Sequence, residues 1–128
     1  MEAMPWRAER DSQRSLVEVT YSGHVTIAEV RACAAAVFEE LKDAAEGLIL
    51  IDFTAVTRLD TQTVDVVGLP ELFKSLGSES NTREALVAPH GSPAFDAAAF
   101  YETVALNRGR KVALFPDRAR ALAWLAAP

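Results

Sequence analysis

The residues best placed to do chemistry stand just after apolar runs or just before helical ones: Thr54, Asp60, Thr61, Thr63, His90, Ser92 and Asp117. His90 and Ser92 are two positions apart, the ingredients of a base and a nucleophile. A working pair needs a third group to orient the base, and none is identifiable. His24 lies far along the chain from His90, with no cysteine or acidic pattern of metal-ligand spacing near either. Both histidines read as loop residues, and no metal site is expected. Cys33 is the single cysteine, set in Ala32-Cys33-Ala34-Ala35-Ala36. It therefore reads as a buried structural thiol, not a nucleophile. There is no G-x-G-x-x-G, no phosphate-loop lysine motif and no G-x-S-x-G elbow. Neither a cofactor nor a catalytic set is expected.

What remains is position. In an open parallel sheet, ligands gather outside the carboxyl ends of the strands. Thr54, His90, Ser92 and Asp117 would share that edge as an anion or ligand site, because free helix amides favour negative charge. Ser, Thr and Asp also occur there simply as helix caps.

The elements that position these residues follow from periodicity. Met4, Trp6 and Ala8 alternate with polar residues, Asp11–Arg14 supplies a turn, and Ser15–Ser22 alternates again through Val17, Val19 and Tyr21. Period two predicts a hairpin. After Gly23, Thr26 and Glu29 form a capping box. The helix that follows carries Ile27, Val30, Ala34, Val37, Phe38 and Leu41 as one apolar stripe. Leu48–Phe53 is a continuous apolar run, as in a strand covered on both faces. A turn over Thr54–Leu59 then leads to a helix capped by Asp60 or Thr61 and reaching about Leu76. Pro70 predicts a kink or two pieces there, and Gly77 with Ser78–Thr82 ends it. Ala85–Ala88 is a short strand. Ser92 caps the next helix with Pro93 at its first position, and Ala97, Phe100, Tyr101 and Val104 form its stripe. Lys111–Phe115 is the last strand, and Asp117 caps a final helix bearing Ala119, Leu122 and Leu125. Alternating strands and helices imply parallel pairing with right-handed crossovers. The expected fold is α/β, one domain over residues 1–128 with residues 1–3 loose, and a mixed, mostly parallel five-stranded sheet.

Composition removes other classes. The 128 residues are 50% hydrophobic and 24% charged, with 18 acidic against 13 basic side chains and a net charge of -5. Such a chain has the make-up of a globular domain and lacks the basic stripe of a nucleic-acid binder. The closest cationic cluster is Arg108-Gly109-Arg110-Lys111. With no apolar leader and no run of spanning length, the expected location is the cytoplasm, not a membrane.

The segment from Leu48 to Thr61 resembles the STAS domains, the superfamily of the SpoIIAA-like anti-sigma factor antagonists. Its marks are a buried strand ending in an acid, a short loop, and Asp-Ser/Thr at a helix start. The later runs Pro93-Ala94-Phe95, Phe100-Tyr101-Glu102, Val112–Phe115 and Ala121-Leu122-Ala123-Trp124-Leu125 are similar to an uncharacterised bacterial STAS-like branch. The resemblance spans roughly residues 4 to 126. It implies a non-enzymatic, regulatory module with a protein partner docking around Asp60, Thr61 and Thr63. It also implies Thr61 as the phosphoacceptor. Gln62-Thr63-Val64 departs from the small residues that follow that acceptor in the antagonists, as does Pro70 within the helix. The alternative is a carrier of a small apolar or anionic ligand, with Phe53, Phe73, Phe95, Phe100 and Tyr101 lining a pocket. Self-association into a homodimer stays open.

Overall fold

The computed structural model describes residues 5–11, 13, 16–42, 47–76 and 82–127. Five strands and four helices alternate among them: β1 (Trp6–Asp11), β2 (Leu16–Thr26), α1 (Ile27–Leu41), β3 (Gly47–Asp60), α2 (Thr63–Ser75), β4 (Thr82–Val87), α3 (Phe95–Asn107), β5 (Lys111–Phe115) and α4 (Arg118–Ala126). The sheet order is β1-β2-β3-β4-β5, antiparallel between β1 and β2 and parallel elsewhere. This is the mixed α/β sheet expected from the alternation of elements. The expected loose start at residues 1–3, the place of Met4, and the polar break at 77–81 lie outside the described residues.

The pleat divides the core by parity. Val17, Val19 and Tyr21 of β2, Ile49 of β3 and Leu86 of β4 face one way, and meet Cys33, Val37 and Phe38 of α1, Val66, Leu69 and Phe73 of α2, and Tyr101 of α3. The alternate residues Leu16, Leu50, Ala85 and Val87 pack on α4 through Ala121 and Leu125. Three helices thus cover one face and a short helix the other. That is why Leu48–Ile51 is apolar without interruption.

Several boundaries moved. β2 does not stop at Ser22: it continues through Gly23, at φ +68°, to Thr26. β3 likewise continues past Phe53, so the expected turn over Thr54–Leu59 is strand. The reason is mutual pairing. β2 and β3 stay hydrogen-bonded to Thr26–Asp60, with register shifts around Ser22 and Gly23, whereas β4 leaves β3 at Val87–Asp52. A two-stranded ribbon therefore rises above the sheet edge. Irregular spacing at its bulges hides period two from the sequence.

Helix starts changed with it. Thr26 and Glu29 do close the start of α1, since the Glu29 carboxylate accepts from the Thr26 N–H and hydroxyl, both at 2.9 Å. Asp117 caps α4, accepting the Arg120 N–H at 2.8 Å. Neither Asp60 nor Thr61 caps α2, because pairing holds the chain extended through Asp60. The cap falls on Gln62, whose N–H donates to Asp65 Oδ2 at 3.0 Å. Ser92 does not cap α3 either: it sits in a turn, its backbone carbonyl accepting the Phe95 N–H at 3.1 Å, and the helix begins at Phe95. The buried stripe is Ala98, Tyr101 and Ala105, one position on from the expected one, which leaves Phe100 37% exposed. In α4 the buried residues are Ala121 and Leu125, and Ala119 is exposed. Pro70 lies buried within α2, which runs through it as one element and not two.

Candidate functional site

The ribbon delivers the candidate site. At its tip, Asp60 ends β3 beside Thr26, and Thr61 and Gln62 form the short link into α2. The Asp60 carboxylate receives Arg58 Nε at 3.1 Å through one oxygen and pairs with His24 Nε2 through the other. These contacts hold the Asp60 carboxyl below its ordinary range, the His24 hydrogen bond contributing most, with desolvation opposing it and Arg58 adding to it. Three residues past the cap, Arg31 of α1 reaches Asp65 of α2 at 3.7 Å. Charges from β2, β3, α1 and α2 thus meet around the turn that carries Thr61.

Thr61 itself is half-buried and lines an internal cavity, whereas Thr63, the first residue of α2, is exposed. Beyond it, Val64 is 70% and Val67 37% exposed, a two-residue apolar step on the outer side of the same helix. The hydroxyl most open to solvent at this corner is therefore Thr63.

The other sheet-edge residues are engaged separately. The Thr54 N–H donates to Asp52 Oδ1 at 2.8 Å, a local contact at an exposed strand residue. The His90 ring packs 4.6 Å from Phe95, centroid to centroid. The Ser92 hydroxyl is buried with no hydrogen-bond partner, so it is not paired with His90 as a nucleophile would be with its base. Asp117 is occupied with Arg120. Among the described residues, no hydrogen bond or ion pair joins any two of these four.

Two features escaped sequence reasoning. His24 and Arg58 read as loop residues, and only the β2–β3 register brings them to Asp60. Glu84 was outside the expected strand; it is 1% exposed, accepts the Tyr101 hydroxyl at 2.8 Å and pairs with Arg110. Alternation with Leu86 was the available signal, and the charge concealed it. Burial raises the Tyr101 hydroxyl well above its usual value, with Glu84 adding to it. Burial alone would lower Arg110, yet the Glu84 charge beside it leaves it raised.

The cavity has a volume of about 80 Å³, only partly enclosed. It lies between the sheet and α1, α2 and α3. Phe53, Phe73 and Tyr101 line it, as expected of a pocket, but Phe95 and Phe100 do not. Among the described residues no group of His, Cys, Asp and Glu could hold a metal, and no helix is long and apolar enough to cross a membrane.

This arrangement is the SpoIIAA-like, or STAS, fold. The solved structure of the anti-sigma factor antagonist SpoIIAA in its unphosphorylated form superposes with a TM-score of 0.54 at 14% identity, covering 96% of this chain and 99% of that one. A Thermotoga maritima protein provisionally assigned as an anti-sigma factor antagonist gives a TM-score of 0.57 at 16% identity, covering 95% of each. No family model matches the sequence, and no curated protein does. At these identities the likeness establishes the fold and leaves function to the site itself.

Proposed function

We propose that this chain is a non-enzymatic, regulatory protein-interaction module acting in the cytoplasm. Its working face is the corner from Asp60 to Val67, and a phosphate on Thr61 or Thr63 is its switch. The observation that carries the reading is the exposed run Thr63, Val64 and Val67 at the start of α2, set beside a fixed charge cluster. Exposed apolar side chains rimmed by charges are the usual make-up of a docking surface. The fold shared with the two antagonist structures supports the same reading. A phosphate adds roughly two negative charges at pH 7. Here they would fall between Asp60 and Asp65, changing what docks without a change of fold.

The experiment compares partner capture by the wild type with Thr61→Glu, Thr63→Glu and Val64→Asp, each checked for an unchanged circular dichroism spectrum. Val64→Asp loses the partner, and at least one glutamate variant alters the captured set. Identical partners captured with identical strength by all four proteins would sink the proposal.

A further inference from the structure

We infer that the cavity beneath Thr61 is a binding site for the free unbranched alkyl chain of a small amphiphile, and that its occupancy is coupled to the corner. The second half rests on the reading of that corner as the working face; the first half stands without it.

The walls argue for hydrocarbon. Apolar side chains, Val19, Ile49, Leu86, Val37, Leu69 and Phe73 among them, supply most of the lining, and its polar groups apart from Thr61 are already engaged. The Tyr101 hydroxyl donates to Glu84, which Arg110 also holds, and Tyr21 is hydrogen-bonded with Cys33. A buried water needs two to four polar partners, which this lining does not offer. Dry cavities of about 150 Å³ lined by Leu, Ile and Phe take up benzene or xenon. At about 80 Å³ this one is too small for a ring-sized guest without expansion, but suits a slender chain end that enters from one side.

The entry point follows from exposure. Six of the eight lining residues that keep contact with solvent are Ile27 and Val30 at the start of α1, Phe53 and Leu59 on the ribbon, Ala97 at the start of α3, and Thr61. These six sit at the carboxyl edge of the sheet, so the mouth lies there. Thr61 is thus both a wall of the cavity and the link between Asp60 and α2. A chain that enters must move it, and a charge placed on it removes an apolar wall. Coupling between two such events is reciprocal.

The test uses methyl and amide NMR of the full chain titrated with octan-1-ol and, separately, octanoate. Octan-1-ol carries no charge, so its response to Thr61→Glu reports the wall and not repulsion of a head group. Saturable shifts of the Val30, Val37, Ile51 and Leu69 methyls are expected with one or both probes, with the amides of Thr61 to Val66 following the same curve. Ala34→Phe, which fills the cavity from α1, abolishes them; Ala98→Ile fills it from α3 should the first variant not fold. Thr61→Glu weakens octan-1-ol binding at least tenfold. No saturable shift with either probe, or shifts that persist in both filled variants, overturns the site. Binding that leaves the Thr61–Val66 amides still, or that Thr61→Glu does not weaken, overturns the coupling. Neither result touches the partner-capture comparison, so the two proposals fail separately.

Discussion

Arg110→Met isolates a buried charge cluster in the three-helix face. Arg110 donates through Nε to Glu84 Oε1 at 3.0 Å, pairs with the same oxygen through Nη2, and lies 5.3 Å from the Phe73 ring. Methionine keeps the aliphatic stem and removes the cation. Glu84, 1% exposed, then retains the Tyr101 hydroxyl while losing Arg110. Removing one partner of a buried ion pair costs about 3–5 kcal/mol, because the remaining charge is left uncompensated. Loss of the cation–ring contact adds roughly 0.5–1 kcal/mol. With a urea dependence of about 2 kcal/mol per molar for a domain of this size, the midpoint falls by roughly 2 M. Replacing the whole cluster (Glu84→Leu, Tyr101→Phe and Arg110→Met together) restores stability to near wild type, since apolar replacement of a buried pair is often neutral or better. A loss below about 1 kcal/mol refutes the reasoning, because it would fall well under the cost of a buried charge left without its partner.

Cys33 is 2% exposed, and burial pushes its thiol up to about 11 despite the opposing Tyr21 hydrogen bond. Ellman's reagent at pH 8 therefore reacts with the native chain only as fast as it opens, and rapidly in urea. The raised thiol contributes stability that is full below its ordinary value of about 9 and is lost as pH rises to about 11, a loss that Cys33→Ala lessens in alkaline unfolding curves. Pro70→Ala returns an amide to the Val66 carbonyl within α2. An interior proline costs about 3 kcal/mol against alanine, and the lost buried ring gives back roughly 1.6 kcal/mol. A gain of about 1 kcal/mol follows, read as a melting midpoint about 4 °C higher; a lower midpoint would contradict it.

The amino-acid sequence by itself determined the order of the elements, because each carries its own local signal. The Thr26–Glu29 box starts α1, the apolar run of Leu48 to Phe53 marks a doubly covered strand, and Asp117 caps α4. It also marked Asp60 and Thr61 as a strand-to-helix corner. Tertiary structure decided what that corner contains. His24 and Arg58 reach Asp60 only because β2 and β3 stay paired beyond the rest of the sheet, and a pairing register set across bulges leaves no period to read. The cap moved to Gln62 for the same reason: strand pairing held Asp60 in extended backbone. Phe100 turned outward because α3 buries Ala98, Tyr101 and Ala105, a face one position on from the expected stripe, and one residue is a rotation of about 100°. The cavity belongs wholly to packing. Its walls come from every described strand but β1 and β5 and from three helices, and whether such side chains meet or leave a gap is a property of how helices sit on a sheet, not of any one segment.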